Sequence, residues 1–121
     1  MKKIIFDTDI GCDCDDVGAL CVLLTAERRG VCELAAVTIS SPYETAPGCV
    51  GAILRQYGRE GVPIGSLCSP SETYYPHGDI YSAGVAEAFP NGAAPVTDAV
   101  SLIRAVLAGS DEKVTLLATG P

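Results

Sequence analysis

Five carboxylates crowd one short stretch near the start of the chain: Asp7, Asp9, Asp13, Asp15 and Asp16, in the run Asp-Thr-Asp-Ile-Gly-Cys-Asp-Cys-Asp-Asp. No Lys or Arg lies between Ile4 and Glu27 to neutralise them. Like charges held together repel, and burial of any of them disfavours ionisation. A divalent cation relieves both penalties, and carboxylate oxygens are the ligands that calcium and magnesium select. A solvated acidic loop is the plain alternative. The apolar Ile4-Ile5-Phe6 before the run and the apolar stretch 17–24 after it favour a binding site, because ligands collect at the C-terminal ends of strands in α/β folds.

Two other uses of clustered aspartates fit less well. Counted from Asp7 as position 1, an EF-hand loop needs Gly at position 6 and Glu at position 12, where this chain has Cys12 and Gly18. A magnesium-dependent phosphohydrolase also places Asp-x-Asp at a strand end, but Ile10 follows Asp9 here and the Asp15-Asp16 pair has no role in that scheme.

The elements that must position these groups alternate. Residues 3–7 read as a buried strand, and a helix starts at Asp15 or Asp16 and runs through Arg29 to a stop at Gly30. That helix is apolar nearly all round, which predicts burial against a sheet. A second buried strand covers 33–39, ending at Ser40-Ser41-Pro42. Pro47 suits the first turn of the next helix, with Val50, Ile53, Leu54 and Tyr57 at helical spacing. A short strand covers 62–65, a loop 66–79 holds Pro70, Pro76 and Gly78, and a short helix covers about 80–89. Thr97 or Asp98 then opens a helix with Val100, Ile103 and Leu107 on one face and Gly109 as its stop. Residues 113–119 read as a further buried strand. This order predicts an α/β fold with right-handed crossovers and a mostly parallel sheet flanked by helices. Asp7, Ser40 and Thr119 then fall at the C-terminal ends of strands, on one edge of the sheet. A final strand with no helix after it would leave apolar surface uncovered, so the chain reads as truncated and prone to self-association as a homo-oligomer.

At 121 residues the chain fits a single domain, and 48% hydrophobic with 19% charged residues marks it as globular. A net charge of −7 argues against nucleic acid or an anionic membrane surface as partner. No stretch reaches the roughly 20 apolar residues of a membrane span. Lys2-Lys3 precedes only three apolar residues before Asp7, too few for a signal peptide, so a cytoplasmic location is expected. The cysteines Cys12, Cys14, Cys21, Cys32, Cys49 and Cys68 are then expected to be reduced. Cys12-x-Cys14 has no second paired motif to complete a zinc site.

The run Asp7-Thr8-Asp9-Ile10-Gly11, continued by Asp15-Asp16-Val17-Gly18-Ala19-Leu20, resembles the N-terminal signature of the inosine–uridine-preferring nucleoside hydrolases. Two extra residues, Cys12-Asp13, precede the Asp pair, as in a divergent branch of that family. Weaker similarities follow in order at Val37-Thr38-Ile39-Ser40-Ser41, Tyr57-Gly58-Arg59, Val62-Pro63-Ile64-Gly65, His77-Gly78-Asp79, Asp98-Ala99-Val100 and Leu116-Leu117-Ala118-Thr119-Gly120-Pro121. The resemblance covers the whole chain but only about the first third of a typical member, and implies the N-terminal part of one Rossmann-like domain. It implies a calcium ion held by Asp7, Asp9, Asp16 and the Thr119 carbonyl, Asp15 on the ribose hydroxyls, and Asp9 as general base. It also implies an active-site role for His77, which in a Pro/Gly loop is otherwise a plain surface residue. Three departures stand out: Ile10 replaces the family's proline, Asp13 adds a carboxylate without a counterpart, and Ser40-Ser41-Pro42-Tyr43 offers no Asn after the second strand.

The implied activity is calcium-dependent cleavage of the N-glycosidic bond of a nucleoside to ribose and free base, through an oxocarbenium-like transition state. The later ribose-binding residues and the family's last metal-binding Asp have no match in the chain. A catalytically incomplete fragment with residual metal binding is therefore the leading alternative, with the magnesium-dependent phosphohydrolase behind it.

Overall fold

Every strand among the described residues runs parallel, and the chain order explains why. The computed structural model describes residues 1–69 and 75–120. Its elements are β1 (Lys2–Thr8), α1 (Asp15–Arg28), β2 (Cys32–Ile39), α2 (Ala46–Gln56), β3 (Ile64–Ser66), α3 (Ser82–Ala88), β4 (Thr97–Asp98), α4 (Ala99–Ala108) and β5 (Val114–Ala118). They form one five-stranded sheet in the order β4-β3-β2-β1-β5. Helices intervene between successive strands, which is what a parallel connection requires. The α/β, Rossmann-like architecture read from the sequence is the one observed. The chain steps outward from β1 to β4 and then returns to the other side of β1 as β5, so the order reverses between β1 and β5.

Strand alternation sends successive side chains of β1 into different environments. Phe6 joins the main core with Leu20, Leu24, Leu34, Val37, Ile39, Val50 and Leu54, beneath α1 and α2. Ile5 joins a smaller cluster with Ala36 and Leu102 beneath α4. The shift of register between Ile4 and Ile5 in the β1–β2 pairing lets Asp7 lie opposite Thr38. On the other side Asp7 pairs with Ala118 of β5, one residue before Thr119.

Helix boundaries follow local chemistry. Gly30 takes φ +73° just past α1, a left-handed conformation that costs glycine little. Pro47 sits in the first turn of α2, where its missing N–H is no loss. Asp98 caps α4 by accepting from the Ser101 N–H at 2.9 Å. A clasp closes the far end of the sheet. Arg59 donates Nε and Nη2 to the two Glu27 oxygens at 2.7 and 2.9 Å, while Glu27 also accepts from the Leu34 N–H at 2.9 Å.

Several expectations need correction. Helix α1 is not buried all round: Leu20, Leu23 and Leu24 face the core while Val22 is 69% exposed, because the sheet covers one side of it. In α4 the inward residues are Leu102, with Ile103 and Val106 half-buried, whereas Val100 and Leu107 are exposed. Leu102 packs against Ile5, Ala36 and Gly65 of the sheet, and Val100 lies on the exposed side of the helix. Thr97–Asp98 also forms a two-residue strand against Gly65 and Ser66, too short to carry a pattern. Strand β5 is largely exposed, not buried, with Leu116 at 53%, because it is the sheet's edge. The expected loop begins after Ser66, and its Pro70 lies outside the described residues, as does Pro121.

Candidate functional site

In an open parallel sheet, a crevice forms at the carboxyl ends of the strands where their order reverses. Here that point lies between β1 and β5, and the acidic run leaves β1 directly above it. Asp7 is the penultimate residue of β1, and Thr38, its partner in register, donates to Asp7 Oδ1 at 2.6 Å. The Thr119 N–H donates to the Asp7 carbonyl at 2.9 Å. Thr8, pointing to the other face, donates to Asp16 Oδ1 at 2.8 Å and accepts from the Ile10 N–H at 3.1 Å. The Thr119 hydroxyl lies between the two faces, within reach of both the Asp7 carbonyl and Asp16 Oδ1. Three strand ends and the first turn of α1 thus meet. A methyl group on Gly120 would collide with the Ser40 hydroxyl and lie 3.3 Å from Asp7 Oδ2.

The carboxylates are held together at electrostatic cost. Asp16 is 1% exposed, and burial pushes its pKa up to about 6, reinforced by neighbouring Asp9 and opposed by the Thr119 and Thr8 hydroxyls. Asp7 is also raised, chiefly by burial, against hydrogen bonds from Thr38 and Ser40. Asp13 is raised by the adjoining Asp15 carboxyl. Among the described residues, no Lys or Arg forms an ion pair with any of the five; the ion pair present joins Arg59 to Glu27.

This donor set suits a hard divalent cation. Asp13, Asp15 and Asp16 each offer an oxygen, all within 4.8 Å of one another, a grouping able to hold a metal ion. Asp9 lies within hydrogen-bonding reach of Asp16, and its charge also acts on Asp7. Among the described residues the grouping within that distance is Asp13, Asp15 and Asp16, which shares Asp16 with the expected Asp7, Asp9, Asp16 and Thr119. Asp13, which had no role in the sequence reading, belongs to it.

His77 lies in the exposed segment after β3. Its ring meets Tyr75 edge-on at 5.5 Å between centroids, and its carbonyl accepts from the Tyr43 hydroxyl at 2.9 Å. Tyr75 in turn donates its hydroxyl to Asp9 Oδ2 at 2.7 Å and packs edge-on to Tyr43 at 5.6 Å. Burial and the Asp9 carboxylate both raise the Tyr75 pKa, so the phenol stays protonated as the donor. The acidic loop is tied to this segment a second time. The Tyr81 hydroxyl donates to the Asp13 carbonyl at 2.6 Å and accepts from the Gly11 N–H at 3.2 Å. Gly11 has φ +133°, and a side chain there would strike the Tyr43 ring. Asp79 accepts from the Ser82 and Ala83 N–H groups and the Thr45 hydroxyl, fixing the segment against α2 and α3. These hydrogen bonds outweigh its burial and lower its pKa.

Sequence reasoning missed Tyr75, Tyr43 and Tyr81, which are scattered along the chain and follow no periodicity. Thr8 and Thr38 fall within strands expected from the sequence, but which carboxylate each meets is set by strand register. A hollow of about 350 Å³, lined by Cys21, Val22, Thr25, Ala26, Arg29 and Val31, lies away from the acidic run. All six cysteines are free thiols, and no helix among the described residues is long and apolar enough to cross a membrane.

No protein-family model and no curated protein sequence matches this chain. Among solved structures, the fold is similar to that of a plant nucleoside hydrolase, at 20% sequence identity and a TM-score of 0.57. The match covers 99% of this chain and 40% of the plant enzyme, so the chain spans well under half of its neighbour's length. The fold is thus nucleoside hydrolase-like.

Proposed function

We propose that this chain forms the metal-binding part of a calcium-dependent ribonucleoside hydrolase. The observation that supports the reading is the meeting of Asp7, Thr119 and the buried Asp16 where β1 and β5 end, in a fold like that of a nucleoside hydrolase. Calcium is favoured over magnesium because it accepts six to eight oxygens in flexible geometry, which suits crowded carboxylates together with a sugar diol. A calcium ion held there by Asp7, Asp9, Asp16 and the Thr119 carbonyl would supply ribose-hydroxyl binding and acidification of a water.

Asp7 and Asp16 are braced by Thr38, Thr8 and Thr119, and serve as fixed ligands. Asp9 takes the proton of the attacking water at a carboxylate oxygen, and Asp15, exposed at the start of α1, orients the ribose hydroxyls. The negative potential of the cluster stabilises positive charge developing on the sugar ring. His77, whose ring meets that of Tyr75, takes the role of acting on the leaving base. The exposed β5 edge favours a homo-oligomer.

Ribose release from inosine or uridine, assayed on the 121-residue chain and on any longer form that carries it, tests the activity. Asp9→Asn keeps the shape but removes the proton acceptor, so turnover should fall by about 10²–10⁴-fold, the usual worth of a general base. Calcium binding without ribose release from any form would leave a metal-binding module. Hydrolysis of phosphate esters with magnesium, and none of nucleosides, would reverse the assignment.

A further inference from the structure

Asp9 stands in an unfavourable place. Its charge acts on both Asp16 and Asp7, and among the described residues no Lys or Arg pairs with it. Repulsion alone would turn it outward, away from any shared ligand. Yet one of its oxygens, Oδ2, is engaged by the Tyr75 hydroxyl at 2.7 Å, from a residue 66 positions away in sequence. Tyr75 is itself constrained, edge-on to Tyr43 on one side and to His77 on the other. Tyr43 is anchored through the His77 carbonyl, and the segment is pinned by Asp79. An aromatic bracket thus delivers one neutral donor to one carboxylate oxygen.

A carboxylate has about four lone-pair sites, so this bond uses one and leaves the rest free. Donors behind a ligating group commonly fix its orientation, and their removal costs about 10–100-fold in metal affinity. We propose that Tyr75 is a positioning residue for Asp9, holding its carboxylate beside Asp16 at the divalent-cation site. The inference rests on the metal-site reading above and adds to it a residue outside the acidic run. It also assigns the segment before His77 a task in cation binding, separate from any contact with a nucleoside.

The test uses terbium(III) chloride as an oxygen-seeking probe, followed by tyrosine-sensitised emission, which is clean because the chain has no Trp. Wild type should bind saturably, and calcium chloride should compete. Tyr75→Phe keeps the ring and removes the donor, and should weaken binding by about tenfold, the lower end of the range for such contacts. Tyr75→Leu should weaken it to the same degree. Tyr43→Phe, which loses the neighbouring phenol without touching Asp9, should change the affinity by less than about twofold on the same basis. A Tyr75→Phe protein with wild-type affinity would overturn the inference while leaving the metal site standing. Equal losses in Tyr43→Phe and Tyr75→Phe would overturn it too, showing that the bracket as a whole matters and not the bond to Asp9. If wild type shows no saturable binding, the metal-site reading fails, and this inference falls with it. Melting temperatures without cation separate the effect from plain destabilisation: a loss of stability with unchanged affinity would make Tyr75 merely structural.

Discussion

Burial of Asp16 beneath the Thr8 and Thr119 hydroxyls gives the cation-free protein an unusual response to pH. A carboxyl raised in the folded state contributes stability while it stays protonated, and that contribution is lost as pH rises through its folded pKa. For Asp16 the window runs from its ordinary value of 3.8 to about 6, and Asp7 is shifted in the same direction. Without divalent cation, the melting temperature should fall as pH rises across that window; calcium, binding the ionised form, should remove the fall. Asp16→Asn should make the cation-free protein more stable at neutral pH and abolish its stabilisation by calcium. Scanning calorimetry from pH 4 to 7, with and without calcium, checks both. The two ligand sets can also be told apart. Asp7→Ala should remove most of the calcium-dependent rise in melting temperature and Asp13→Ala little of it, since Asp13 is exposed. The reverse ranking would assign the ion to Asp13, Asp15 and Asp16.

Among the elements, two joints carry more than their size indicates. Gly11 turns the chain between β1 and α1 at φ +133° with the Tyr43 ring against it. Gly11→Ala should cost about 1–3 kcal/mol, the usual range for a non-glycine residue in such a conformation, and should displace Tyr43 from its place beside Tyr75. Urea unfolding gives the energy. At the opposite end of the sheet, Glu27 joins α1 to the start of β2 and to Arg59. Arg59 is 39% exposed, so screening limits the pair, and Glu27→Ala should cost about 1–2 kcal/mol, mostly from the orphaned Leu34 N–H. Burial works against its ionisation, but the Arg59 and Leu34 bonds hold the Glu27 pKa below its ordinary value of 4.5. The contribution is therefore present above that value and fades as pH falls below it. It should leave calcium binding untouched, because the clasp lies at the other end of the strands.

For the molecule as a whole, β5 lies at the edge of the sheet among the described residues, with Leu116 and Leu117 exposed, and Val100 and Leu107 of α4 are exposed as well. Unpaired apolar edges favour pairing with another chain. Sedimentation at micromolar concentration should show self-association, and Leu116→Lys should shift the population toward monomer. A wild type that sediments as a monomer at all concentrations would remove this expectation.

The alternation of apolar strands and helices, the glycine and proline stops and the acidic run were all legible in the sequence, because each depends on neighbours a few residues apart. That is why the parallel α/β sheet and the gathering of Asp7, Ser40 and Thr119 at strand ends could be read from it. Which residues brace those carboxylates depended on register and on strand order. The shift between Ile4 and Ile5 sets Thr38 against Asp7, and the return of β5 to the side of β1 brings Thr119 to Asp16. Neither is encoded in a local pattern, since each joins positions at least 31 residues apart. The tyrosine bracket was likewise decided only in three dimensions, where packing selects a hydroxyl by its place in space and not by its spacing along the chain.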